Sequence, residues 1–192
     1  MTQFGFYFNQ YECIGYRSCQ IACCDRNNLE AGYTLRTVST YETGEYPEAS
    51  IYHYAASCNH CEFPECVAAC PTGACQKSEE DGSVFRDYDV CIGCGACAEA
   101  CPYSHPVIVP DLGKSMRCDS CKSFRDAGQN PVCVDACVMR AIEWGDIEEL
   151  RAAHPDAVSD LPILPDSSQT NPSVLVQPYD AALNEQFTPF TI

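Results

Sequence analysis

The chain has 192 residues, of which 17 are cysteine, about 9 % of all positions, and its length allows one or two domains. Without cysteine the 46 % hydrophobic content falls to about 37 %, a lean supply for a core, so the cysteines are read as structure, either as disulfides or as metal ligands. Acidic residues outnumber basic ones 27 to 11, a net charge of −16, which counts against a nucleic-acid backbone as partner. No stretch approaches the roughly 18 consecutive apolar residues of a membrane span. Residues 1–16 contain no Lys or Arg, so neither a secretory signal nor a twin-arginine signal is read there. The expectation is a soluble chain that does not direct its own export.

In chain order, residues 4–8 are aromatic and β-prone and predict a first strand. Cys13, Cys19 and Cys23 follow, with a short helix over 20–27. Cys58, Cys61, Cys66 and Cys70 then read C-x2-C-x4-C-x3-C. A strand is expected at 84–88. Cys91, Cys94, Cys97 and Cys101 read C-x2-C-x2-C-x3-C, followed by Pro102, with a short helix over 98–101 carrying the last cysteine. Cys118, Cys121, Cys133 and Cys137 read C-x2-C-x11-C-x3-C. Residues 141–144 predict a further strand, and 146–154 a helix whose acidic first turn suits the helix dipole. Cys24 and Cys75 fall outside these groups. Residues 155–192 hold six prolines and no basic residue, and from Glu143 onward nine acids face one base. This segment is too proline-rich for helix and too poor in cysteine for another metal group. Val174-Leu175-Val176, Phe187 and Phe190 are apolar enough to dock, which predicts an extended arm laid on a partner.

The spacing chooses the metal. C-x2-C-x2-C-x3-C-P is the bacterial ferredoxin run for iron–sulfur ligation. Three closely spaced thiolates reach three irons at adjacent corners of a cube. The fourth cysteine, on the following helix, points elsewhere and serves the other cluster in two-cluster ferredoxins, so such runs work in pairs. Soft, anionic sulfur suits these clusters, and Pro71 and Pro102 end the short helices. Zinc knuckles come as two C-x2-C pairs and do not need the triple. A secreted disulfide framework wants an even cysteine count, a signal peptide and a shorter chain. An internal repeat is also visible: Glu12-Cys13-Ile14-Gly15-Tyr16 with Cys19 aligns with Val90-Cys91-Ile92-Gly93-Cys94 with Cys97. Tyr16 therefore stands where a ligand is expected. Short β–α–β units around buried clusters give an α+β chain.

The strings Cys58-Asn59-His60-Cys61-Glu62-Phe63-Pro64-Glu65-Cys66, Cys70-Pro71-Thr72-Gly73-Ala74 and Val90-Cys91-Ile92-Gly93-Cys94, with the spaced group Cys118 to Cys137, resemble the iron–sulfur beta subunits of the dimethyl sulfoxide reductase family of molybdenum enzymes. The resemblance implies two fused ferredoxin-like modules over 1–154, groups 13–23 and 118–137 forming one and groups 58–70 and 91–101 the nested other, with 155–192 as a Pro-rich acidic extended arm. It implies four cross-paired clusters: Cys58, Cys61 and Cys66 with Cys101; Cys91, Cys94 and Cys97 with Cys70; Cys118, Cys121 and Cys133 with Cys23; and Cys13 and Cys19 with Cys137. Three would be [4Fe-4S]. The one near Tyr16 is left open as [3Fe-4S] or as a four-iron cluster with a non-cysteine ligand, the phenolate and Cys24 both being options. His60 is read as a loop cap hydrogen-bonded to a sulfur rather than as an iron ligand. The implied function is electron transfer, with no catalytic residue of its own, between a membrane anchor or other donor and a large molybdopterin catalytic subunit of the bis-guanine dinucleotide type. Membrane association would then come through partners, on the cytoplasmic face or, by co-export, outside it. A freestanding polyferredoxin serving soluble partners is the alternative.

Overall fold

A computed structural model describes residues 2–190. The first strand, β1 (Phe4–Asn9), is followed by helix α1 (Ser18–Arg26) and the hairpin of β2 (Arg36–Thr43) and β3 (Ser50–Ser57). Four short elements come next: α2 (Glu65–Ala68), β4 (Cys75–Lys77), β5 (Val84–Arg86) and α3 (Ala96–Glu99). After them lie β6 (Val107–Val109), β7 (Lys114–Met116), α4 (Lys122–Arg125), α5 (Val132–Asp135), β8 (Ile142–Asp146) and α6 (Ile147–Ala153). The last two strands are β9 (Val174–Gln177) and β10 (Phe187–Phe190).

The elements form two three-stranded sheets and two small hairpins. One sheet has the order β8-β1-β9, the other β10-β2-β3, while β4 pairs with β5 and β6 with β7. In β1 alternate residues face opposite sides, as the two-residue period of a strand requires. Phe6 and Phe8 enter the main core, whereas Tyr7 packs with Ile147, Leu150 and Leu175 on the other face. The main core joins both three-stranded sheets, through Ile142, Val174 and Val176 on one side and Val38, Tyr54 and Ala55 on the other. Cys19, Cys58, Cys118 and Cys133 are part of it. Cysteine thus fills core volume that the lean apolar composition leaves short.

The six-residue aromatic strand and the acidic helix stand where the sequence puts them. Asp146 caps α6 by accepting from the N–H groups of Glu148 and Glu149. One local expectation shifts. The helix near Cys101 spans Ala96–Glu99, so Cys101 lies just beyond it, as Cys70 and Cys137 lie beyond α2 and α5. Of the cysteines that end the four groups, Cys23 alone is held within a helix, α1.

The larger correction concerns residues 155–192, expected as an arm laid on a partner. Within 155–190 the apolar anchors are used by the protein itself. Strand β9 adds to β1 in parallel, with Phe6 opposite Val174 and Phe8 opposite Val176. Leu175, Val176 and Ala182 are fully buried, and Leu161 and Val174 nearly so. Strand β10 pairs with β2, placing Phe187 opposite Thr43. Six prolines forbid helix but not an edge strand or an irregular path. The same segment clamps the second cysteine loop: the N–H groups of Glu62 and Phe63 donate to the carbonyls of Asn171 and Thr170, and that of Ser173 to the carbonyl of Asn59.

Candidate metal centre

All seventeen cysteines are free thiols and most are buried or half-buried. Two loop conformations present them. In the first, a left-handed glycine follows Cys-Ile: Gly15 at φ +70° and Gly93 at φ +68°. The next-but-one residue is left-handed too, Arg17 at φ +65° and Gly95 at φ +84°, so the internal repeat is repeated in backbone shape. Gly93 has no room for a side chain, because a Cβ there would run into the Gly113 carbonyl oxygen. In the second, a left-handed third residue turns its N–H back on the first cysteine. His60 N–H reaches Cys58 Sγ at 3.5 Å, and Ser120 N–H reaches Cys118 Sγ at 3.4 Å. The last cysteines of two groups also accept main-chain donors, Cys70 from Cys75 at 3.4 Å and Cys137 from Ala141 at 3.3 Å. Such bonds favour a thiolate over a thiol.

The fold gathers the cysteines into four neighbourhoods. Burial pushes the Cys61 thiol up to about 12, and Cys58, Cys101 and Cys66 lie close enough to add to it. Cys70, Cys91, Cys94 and Cys97 line one small hollow together with Ser115. Burial likewise pushes Cys23 up to about 12 against the pull of Arg36, beside Cys133 and Cys121, and Cys118 lies beside Cys23, Cys58 and Cys133. Finally, Cys19 is pushed up to about 11 by burial, again opposed by Arg36, with Cys133, Cys137 and Cys13 nearby. Thiols that hard to ionise alone in a buried site become good ligands once a cation compensates them, since the coordinating form is the thiolate.

Compensation is already built in. Arg36, Arg86 and Arg117 are buried, at 2 %, 8 % and 3 % exposure, and an unpaired buried cation costs several kcal/mol. For Arg86 and Arg117 the hydrogen-bond partners are sulfur. Arg117 donates to Cys58 Sγ at 2.7 Å, Cys75 Sγ at 2.9 Å and Cys66 Sγ at 3.1 Å. Arg86 donates to Cys97 Sγ at 3.2 Å and Cys91 Sγ at 3.3 Å. Arg36 bonds the Ala55 carbonyl and Ser57 hydroxyl while facing Cys133, Cys118, Cys19 and Cys23. The Nε atoms of all three are left without a partner. Guanidinium groups that turn to sulfur, with no carboxylate in reach among the described residues, fit a centre that is itself anionic. No three His, Cys, Asp or Glu side chains among the described residues converge on a single ion.

Cys75 belongs to this setting although its spacing excludes it from the groups. The neighbouring Cys75 and the Arg117 guanidinium pull the Cys66 thiol down, and Cys75 itself is raised in turn. His60 caps its loop, but its ring does not reach a sulfur. Nδ1 accepts from Val84 N–H at 2.9 Å and the ring packs edge-on against Trp144, so only its main chain serves Cys58. Tyr16 is 71 % exposed. Cys24 turns away to the Tyr33 carbonyl at 3.6 Å. The arginines are functional residues that cysteine spacing does not mark. The sequence carries no common signal for them: Arg117 directly precedes Cys118, whereas Arg36 and Arg86 stand at no fixed interval from a cysteine.

Clustered thiols, sulfur-directed N–H groups and buried counter-cations define an iron–sulfur protein. Residues 49–147 match the 4Fe-4S dicluster domain. The chain is 38 % identical over 185 residues to a probable anaerobic dimethyl sulfoxide reductase chain, YnfG, of Escherichia coli K12, covering 92 % of this chain and 89 % of that one. It is 37 % identical over 187 residues to the B subunit of anaerobic dimethyl sulfoxide reductase of Haemophilus influenzae, covering 93 % and 90 %. Protein NrfC of E. coli K12 is 34 % identical over 150 residues, 77 % of this chain and 67 % of that one. The protein belongs to the iron–sulfur subunit family of the dimethyl sulfoxide reductases.

Proposed function

We propose that the chain relays electrons through four iron–sulfur clusters to or from a molybdopterin catalytic subunit of a dimethyl sulfoxide reductase-like oxidoreductase. Cys58, Cys61, Cys66 and Cys101 hold one four-iron cluster, Cys70, Cys91, Cys94 and Cys97 a second, and Cys23, Cys118, Cys121 and Cys133 a third. Cys13, Cys19 and Cys137 hold the fourth, which has three irons or a non-cysteine ligand. In this reading two ferredoxin modules are fused, the outer built from the first and last groups and the inner from the middle two.

The observation that carries the proposal is that cysteines from different sequence groups stand together. Cys101 stands with Cys58, Cys61 and Cys66, and Cys70 with Cys91, Cys94 and Cys97. A zinc knuckle would close on its own local pairs, whereas exchange of the fourth cysteine is the habit of paired ferredoxin clusters. When bound, such clusters supply one-electron transfer. The chain's part is to fix them, to exclude water with the core around Phe6, Val38 and Tyr54, and to offset their charge with Arg36, Arg86 and Arg117. The partner rests on the relatives, whose names describe parts of reductases, and not on an apolar arm. Among the described residues no helix is long and apolar enough to cross a membrane; in this reading membrane attachment comes through a partner.

The test is anaerobic purification with whatever large subunit accompanies the chain, followed by metal analysis of the complex and of the isolated chain. The isolated chain should hold about 15 to 16 irons with similar acid-labile sulfide, from four clusters. About eight irons would leave two neighbourhoods structural, and zinc would overturn the reading.

A further inference from the structure

With Cys133 assigned to the third cluster, the first cluster is left with three thiols, Cys13, Cys19 and Cys137, and the structure places a different donor beside its loop. His53 stands on β3 opposite Thr40 of β2. Paired residues of an antiparallel ladder share a face, and Val38 and Ala55 on this face belong to the core cluster that contains Cys19 and that Cys13 and Cys137 pack against. Two residues along each strand, Thr40 and His53 continue that face toward the loop of residues 13–19.

The imidazole meets this loop edge-on. A Cβ placed on Gly15 would be 2.6 Å from His53 Cε1, 2.7 Å from Nδ1 and 2.9 Å from Nε2. The edge carrying both nitrogens therefore lies against the residue between Cys13 and the position where the repeat has its next cysteine. Gly15 is required here twice over, by its left-handed φ and by this ring. Nδ1 is engaged by the Thr40 hydroxyl at 3.0 Å, and the main chain of His53 is held by Gln10 Nε2 on its carbonyl at 3.1 Å. A histidine oriented by a hydrogen bond at one nitrogen presents the other to a metal, as metal-ligating histidines do. The rivals point elsewhere: the Tyr16 side chain faces solvent, and Cys24 is turned to Tyr33.

We propose that His53 Nε2 is the fourth protein donor of the first cluster, which is thereby a four-iron cluster with three thiolates and one imidazole. Replacing an anionic thiolate by a neutral imidazole lowers the negative charge of the site, as in Rieske centres, where histidine in place of cysteine raises the potential. This end of the relay then accepts electrons more readily than an all-cysteine site would. The inference rests on the four-cluster reading.

The test uses the full chain, purified anaerobically with its clusters, with histidine selectively labelled with 15N. Pulsed paramagnetic resonance of the reduced protein should show a directly bound imidazole nitrogen. His53→Ala should abolish that coupling, lose about one iron per chain, and bring up the sharp oxidised-state resonance of a three-iron cluster. Tyr16→Phe should leave all three readouts unchanged. A three-iron resonance already present in the unaltered oxidised protein and persisting in His53→Ala would overturn the proposal. So would loss of the fourth iron in Tyr16→Phe. Absence of a bound-imidazole coupling from the labelled wild-type spectrum would overturn the proposal even if His53→Ala fails to fold. About twelve irons, with no signal that any first-group substitution alters, would instead defeat the four-cluster reading.

Discussion

Arg117 shows how a single side chain sets the character of a cluster site. Its guanidinium is buried, makes three hydrogen bonds to sulfur and no ion pair to a carboxylate among the described residues. Burial alone would favour its neutral form, but the surrounding Cys58, Cys66 and Cys75 outweigh it and hold the group firmly protonated. A fixed positive charge favours the state of the site that has gained an electron. Arg117→Gln should therefore lower the midpoint potential of the cluster proposed at Cys58, Cys61, Cys66 and Cys101, by an amount on the order of 100 mV or less for one charge at this range. Arg117→Lys should retain most of the potential while losing the forked geometry. A redox titration followed by paramagnetic resonance reads the shift, and an unchanged or higher potential in Arg117→Gln would refute this role. The cysteines around Arg117 are legible from spacing because ligand geometry imposes spacing. Arg117 is not, since a counter-charge needs only proximity. Cys75 is hidden for the same reason, as it meets Arg117 beside Cys66 through a proximity that no cysteine pattern encodes.

Local elements are the most legible part of the fold. Strand β1 announces itself by its aromatic run, and α6 by Asp146 and the acidic turn behind it. Strand β9 is not legible in its own segment, because its partner is some 170 residues away in sequence and the pairing is parallel, so nothing near Val174 records it. Proline density suggests exposure. What decides burial is the two-sided packing of Val174 and Val176 on the main core and Leu175 on Tyr7, Ile147 and Leu150. Each such side chain is worth about 1.5–3 kcal/mol. Removing all three strips about 6 kcal/mol, comparable to the whole stability of many domains. It also frees the loop at Cys61, which Thr170, Asn171 and Ser173 hold. Truncation after His154 should therefore cost iron, first from the cluster at Cys58, Cys61, Cys66 and Cys101, and leave an aggregation-prone product. Metal analysis and size-exclusion chromatography of the truncated protein check this. Full iron content with a monomeric profile would restore the segment to the status of a dispensable arm.

At the scale of the whole molecule, charge is sorted by depth. The formal net charge is −16, yet three of the eleven basic residues, Arg36, Arg86 and Arg117, lie inside among the cysteines. The solvent-facing shell is thus more acidic than the formal count suggests, and the interior is locally basic. The two regions respond differently to salt. Buried pairs are little screened, whereas repulsion among exposed carboxylates falls once the Debye length shrinks from about 30 Å at 0.01 M to about 3 Å at 1 M. Self-repulsion opposes the compact state, so raising sodium chloride from about 0.01 M to 1 M should stabilise the cluster-loaded protein. Relief of about 1–2 kcal/mol corresponds to a rise in Tm of roughly 3–6 °C for a chain of this size. The clusters themselves report unfolding, because their visible absorbance bleaches as the thiolates let go. That loss is irreversible, so the half-life of the absorbance at one fixed temperature is the firmer measure. It should lengthen with salt in the wild type and in Arg117→Lys alike, since the exposed shell and not the buried cation is what salt relieves. A half-life that shortens with salt would mean that exposed ion pairs such as Lys122 with Asp126 contribute more to holding the fold than the acidic shell does to opposing it.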